Sequence, residues 1–338
     1  MRYQNTCIEA VSYELPRAVV TTASIERALG GLYGRLGISS GTLQALTGVE
    51  ARRFWEAEVT PSDAATLAAE KLFAEAGFPR ERVQVLVSTS VCRDYLEPSV
   101  ASLVHGNLRL GSHCANFDVG NACLGFMTGL TMVANMIELG QITAGLVVAG
   151  ESSRQVTEAT IARLQQPGLC FSDFRDNLAT LTLGSAATAM LLVHRDLTRA
   201  GHRLLGGATG AATAFCRLCL GTETGMRTDP ARLLAEGVKL AGHTWRQALA
   251  ELDLTVADVR EFAMHQVGKG NHDSIVRALG LPDERALRTY PDYGNVGAAG
   301  VPLTLARAVD LGRVAPGDRV ALMGIGSGLN CQILGVAW

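Results

Sequence analysis

The sequence repeats itself, and the repeat limits the fold more than any other feature. At an offset of about 174 residues, Asp118-Val119-Gly120-Asn121 returns as Asp292-Tyr293-Gly294-Asn295. Each copy is followed by a helical segment, which closes on Leu139-Gly140-Gln141-Ile142 in the first and Leu311-Gly312-Arg313-Val314 in the second. A strand-like run follows each, 144–152 and 319–328, and the run ending Thr89-Ser90-Val91 aligns in the same frame with the one ending His265-Gln266-Val267. One such match is an ordinary turn or helix end, but four in a consistent order indicate two halves with equivalent strands and helices. The apolar runs 83–91, 115–120, 144–152, 261–267 and 319–328 alternate with helical patterns, which predicts an α/β fold with buried sheets. The division falls at 1–195 and 196–338. Segment 153–180, with Gln165-Gln166-Pro167-Gly168, breaks the repeat and is expected to form a lid or pocket wall.

Composition agrees with a large buried core. Hydrophobic residues make up 48% of the 338 and charged residues 18%, so much of the chain must be hidden from water. A net charge of -2 provides no drive toward nucleic acid or anionic lipid. No run reaches the length of a membrane span, so no integral membrane association is expected. The start carries no basic-then-apolar leader, and the expected location is the cytoplasm. The eight cysteines then read as free thiols. Cys216-Arg217-Leu218-Cys219 lacks a second ligand pair, so no metal is expected. Gly324-Ile325-Gly326-Ser327-Gly328 precedes a strand rather than a helix, which argues against a nicotinamide cofactor. The pattern in 231–252 is that of a half-buried helix without assigned function.

Ligands in α/β folds gather at the carboxyl ends of strands, and duplication gathers those of both halves around one centre. Cys123 follows Gly120-Asn121-Ala122 at the start of a helical run, where unpaired N–H groups favour a thiolate and can hold an oxyanion. His265 ends a strand of the second half, and Asn295 stands nearly where Cys123 stands in the first. A lone histidine or Gly-Asn turn is usually structural. Pseudo-symmetry points all three at one site.

These residues resemble the Cys-His-Asn triad of ketosynthase III enzymes of the thiolase superfamily, and the likeness runs from about Val11 to Trp338. The segments 51–55, 62–66, Arg93-Asp94-Tyr95-Leu96-Glu97-Pro98-Ser99 and 324–331 are similar, more narrowly, to the olefin-biosynthesis condensing enzymes, which join two fatty acyl-CoA molecules head to head. The resemblance implies a thiolase-like, five-layer α/β/α/β/α homodimer with Cys123 as nucleophile. His265 and Asn295 would donate hydrogen bonds to the enolate oxygen, and the loop Gly326, Ser327 and Gly328 would hold the oxyanion. Glu97, lent to the two-fold related subunit, would be the base. No cofactor is implied beyond coenzyme A as carrier of the fatty acyl substrates, and enzymes of a downstream pathway are expected partners. Two departures from the wider family stand out: Leu46 replaces a CoA-binding arginine, and Val267-Gly268-Lys269-Gly270 follows the His-Gln pair. The alternatives are a decarboxylating ketosynthase III using a malonyl or β-ketoacyl partner, and a non-catalytic acyl-binding subunit.

Overall fold

Alternate residues of the central strands are buried on opposite faces, which a chain achieves only with a layer on each side of the sheet. The computed structural model describes residues 1–338. The first half runs β1 (Thr6–Glu14), α1 (Pro61–Ala76), β2 (Val85–Ser88), α2 (Val100–Asn107), β3 (Ala115–Asp118), α3 (Gly125–Glu138), β4 (Ala144–Glu151) and β5 (Ala186–His194). The second runs β6 (His202–Ala211), α4 (Pro230–Leu252), β7 (Glu261–Met264), α5 (Lys269–Leu279), α6 (Gly300–Asp310), β8 (Arg319–Gly326) and β9 (Asn330–Ala337).

Pairing repeats in the two halves. β2 lies parallel to β4, β4 antiparallel to β5 and β5 antiparallel to β1; likewise β7 lies parallel to β8, β8 antiparallel to β9 and β9 antiparallel to β6. The halves meet where β1 pairs β6 through Cys7 with Arg203 and Ile8 with His202, giving the order β7-β8-β9-β6-β1-β5-β4-β2-β3.

Five layers follow from which face each side chain takes. Leu86, Leu146 and Val148 turn outward onto Ala65, Ala68 and Leu72 of α1 and Val104 of α2. Their neighbours Val85, Val87 and Val147 turn inward, where α3 and α6 fill the space between the two halves of the sheet with Phe126, Leu130, Val301 and Leu305. On the far side, Phe262 and Met323 meet Leu240 and Trp245 of α4 and Leu279 of α5. The helix starts are written locally: Thr60 caps α1 with Asp63 in a capping box and Pro61 in the first turn.

The halves are not fully equivalent. β3 pairs parallel with β2, but in the second half the segment that leads toward Asn295, 286–289, forms no strand. Side chains hold that segment instead: Gln266 donates to the Leu287 carbonyl at 2.7 Å and accepts from the N–H groups of Thr289 and Tyr290, while Glu261 accepts from the Leu287 N–H. Between β5 and β6 the chain turns over residues 195–201. Segment 153–180 folds into the helices Arg154–Leu164 and Phe171–Asp176 and the start of Leu178–Leu181, which pack through Leu164, Phe174 and Leu181 on Ile25, Leu29 and Leu32. All eight cysteines are free thiols. No helix is long and apolar enough to cross a membrane.

Candidate active site

Cys123 is presented by a tight turn between β3 and α3. Ala122 adopts φ 46°, which L-residues rarely do, and the N–H groups of Leu124 and Gly125 bond back to the carbonyls of Asn121 and Ala122. Such conformations persist where the surroundings enforce them. Here the 324–328 loop does so. A Cβ on Gly326 would lie 3.0 Å from both the Asn121 carbonyl oxygen and the Leu124 nitrogen, so this position needs glycine. Asn330 Nδ2 also donates to Asn121 Oδ1 at 3.0 Å.

From the second half, His265 follows β7, packed so closely on Gly300 that a Cβ there would come within 3.0 Å of Nδ1. That nitrogen is buried without a partner, which leaves Nε2 to serve the cavity that the ring lines. Burial lowers the imidazole pKa to about 4, so the ring is neutral at physiological pH. Asn295 is buried, and its Oδ1 accepts from the Gly297 N–H at 3.0 Å. Its amide nitrogen remains the free donor. The Asn295 backbone is tied across the halves, donating to the Thr182 carbonyl and accepting from the Gly184 N–H, each at 2.9 Å.

Cys123, His265 and Asn295 line one cavity of about 1180 Å³, together with Gly326 and Ser327. That volume lies above the usual range for single-ligand pockets, about 300–1000 Å³. Gly328 stands outside the lining, at φ 141° in the turn beyond. Glu97 is exposed and does not border the cavity of its own chain. Its loop is nevertheless anchored. Glu151 accepts from the N–H groups of Val91 and Cys92, and Asp94 accepts from the Ser62 N–H and hydroxyl at the start of α1. Beyond these anchors Tyr95 and Leu96 project at 61% and 84% exposure. Arg52, by contrast, is wholly buried and bonded to Thr22 and the Leu181 carbonyl, a structural role for part of the 51–55 motif.

The thiol departs from the sequence-based expectation. A helix start favours thiolate, yet burial raises the Cys123 pKa to about 12, and the carboxylate of Glu151 and the thiol of Cys219 add to it. The neutral His265 offers no positive charge in compensation. Thiolate therefore appears only as pH rises. Alkylation of Cys123 in the substrate-free protein is expected to accelerate about tenfold per pH unit from pH 7 to 10; a rate that levels off below pH 9 would contradict this.

Glu151, Cys219 and α4 belong to the site although nothing in the sequence assigns them to it. Glu151 ends an otherwise apolar strand, the one sequence signal that marked it, and its Oε1 also accepts from the Ala298 N–H at 3.1 Å just after Asn295. One carboxylate thus joins the loop leading to Glu97 with the loop carrying Asn295. Cys219 lines the cavity, and so does one face of α4, read from sequence as a half-buried helix alone.

A thiol able to carry an acyl group, donors set to face carbonyl oxygens and a largely apolar chamber, all held on a duplicated five-layer scaffold, define a thiolase-superfamily acyltransferase that forms carbon–carbon bonds. Residues 117–212 match the 3-oxoacyl-[acyl-carrier-protein] synthase III family and 249–338 its C-terminal region. The chain is 41% identical over 338 residues to an acyl-CoA:acyl-CoA alkyltransferase of Xanthomonas campestris and 40% identical over 351 to one of Shewanella oneidensis, in both cases covering all of each chain. Cerulenin-bound OleA of Xanthomonas campestris superposes with a TM-score of 0.98 at 41% identity, covering all of this chain and 98% of that one. The protein belongs to the acyl-CoA:acyl-CoA alkyltransferases of the synthase III family. In solved variants of the Xanthomonas protein a cysteine, a glutamate and a histidine are replaced, and their spacing along that chain equals that of Cys123, Glu97 and His265 here.

Proposed function

We propose that this protein condenses two fatty acyl-CoA thioesters head to head, without decarboxylation, through an acyl-Cys123 intermediate. The observation that carries the reading is the one cavity lined both by a thiol from one half and by an imidazole and a carboxamide from the other. Its size and apolar lining suit more than one alkyl chain.

Cys123 Sγ attacks the carbonyl carbon of the first thioester; the new acyl–sulfur bond forms as the bond from that carbon to the CoA sulfur breaks, and the thiol proton leaves on the CoA thiol. A neutral His265 and the Asn295 amide nitrogen then donate to the thioester oxygen of the second substrate, stabilising negative charge as its α-proton is removed. N–H groups of the Cys123 turn and of the Gly326-Ser327 loop hold the oxyanion at the acyl carbon. The base is Glu97 of the partner subunit, acting across a homodimer interface. An exposed glutamate on an anchored loop, next to exposed Tyr95 and Leu96, suits such a contact. The carbanion attacks the acyl-Cys carbonyl and expels the thiolate, which regains a proton from Glu97. The product is a 2-alkyl-3-ketoacyl thioester, hydrolysed to the 2-alkyl-3-ketoacid. A cytoplasmic location suits the free thiols and the CoA substrates.

Incubation with acyl-CoA alone tests this reading. The expected result is an acyl adduct on Cys123 by intact mass, release of CoA and formation of ketone. A requirement for a malonyl thioester would move the protein to the decarboxylating class, and absence of any adduct would make it a binding subunit.

A further inference from the structure

Gly237 lies in the interior of α4 and is buried. Glycine is, after proline, the residue least suited to a helix interior, because it gives up the most backbone freedom on folding. A buried glycine there normally reflects close approach of another backbone. Nothing of that kind occurs at 237. A Cβ would meet a single atom within 4 Å, Cδ1 of Ile325 at 3.3 Å, the end of a flexible side chain. At Gly326, by contrast, a Cβ would run into backbone. What the missing side chain at 237 leaves open is cavity.

Gly237 borders the same chamber as Cys123, and so does Ala241, one turn further along α4. Ile275 and Leu279 of α5 and Ile333 of β9 also line the chamber and share one apolar cluster with Ala241, with Ile325 packed against it; together they make an apolar arm. The side chains of Ala241, Ile275, Leu279 and Ile333 carry no donor, acceptor or charge and Gly237 has none, so the arm suits a hydrocarbon chain rather than a nucleotide or a phosphate. Its walls are a long helix, a second helix and a sheet, rigid elements that fix a length rather than adapting to one. Both helix positions carry the smallest side chains available.

We propose that Gly237 and Ala241 set the length of alkyl chain that this arm accepts, making them specificity-determining residues for the condensation. The proposal rests on the acyl-CoA reading of the site. A larger side chain at either position takes the space of the terminal methylenes and penalises long chains over short ones. One methylene in a hydrophobic pocket changes discrimination by about tenfold or more.

The test uses the full-length protein, wild type and the variants Gly237→Ala, Gly237→Leu and Ala241→Leu, with saturated acyl-CoA esters from octanoyl to stearoyl. The readouts are acylation of Cys123 by intact mass and kcat/KM for each ester. The ratio of palmitoyl-CoA to octanoyl-CoA activity is expected to fall about tenfold or more in the leucine variants and by less in Gly237→Ala, which also gains helix propensity and a higher Tm. An unchanged ratio in folded variants, or equal loss at every length, overturns the assignment. Should the leucine variants fail to fold, Gly237→Ala decides alone by the same ratio. A second series measures the Tm shift given by free fatty acids of the same lengths and reads the arm without thioester chemistry. Wild type unacylated by every ester overturns the acyl-CoA reading, whereas a fatty-acid length limit common to all variants overturns the length assignment.

Discussion

Replacing Cys123 with alanine is expected to abolish both acyl-adduct formation and condensation, a loss of roughly three orders of magnitude or more. Stability should change by about 1 kcal/mol at most, because the thiol borders open cavity rather than packed neighbours and its removal creates little new void. The two measurements belong together. Loss of activity with an unchanged Tm identifies the sulfur as the acyl carrier, while adduct formation that survives in Cys123→Ala would move the nucleophile elsewhere, with Cys92, Cys219 and Cys331 the other thiols lining the same chamber.

The second large effect separates the two chemical steps. Glu97→Gln keeps size and hydrogen bonding but removes the charge, so Cys123 should still be acylated while condensation falls by roughly two to four orders of magnitude. Whether the glutamate acts in its own chain or across an interface is decided by mixing. If the base crosses an interface, co-expressed Cys123→Ala and Glu97→Gln chains give mixed dimers in which one site combines an intact cysteine with an intact glutamate from the other chain. Random pairing then restores roughly a quarter of wild-type activity. No recovery would place the base in the same chain or exclude it.

The architecture was legible in the sequence because its signals are local and repeated. The runs now seen as β2, β4, β7 and β8 are buried on both faces, so their apolar character is continuous and hard to mistake. The duplication showed through the turns and helix ends that bracket those strands. Cys123, His265 and Asn295 were legible as a group since the repeat placed their loops at one centre. What was not legible depends on neighbours distant in sequence. The direction of the Cys123 pKa follows from burial and from Glu151, neither visible in a turn and a helix start. An amphipathic pattern reads the same whether its apolar face meets packed side chains or an open chamber, so α4 passed for ordinary core. In the sequence Gln266 is marked only as the residue after His265, and nothing nearby announces that its amide stands in for a strand.

That replacement shows how the two copies have diverged. The copy that supplies the sulfur has β3, where the copy that supplies the imidazole and the carboxamide has a glutamine clamp beside its own histidine. Neither copy now holds a complete set of reactive groups, so severing the polypeptide between His194 and His202 would yield two chemically inert fragments. Reactivity would return only on reassembly, and every ancestor that had already specialised in this way was bound to keep both copies together.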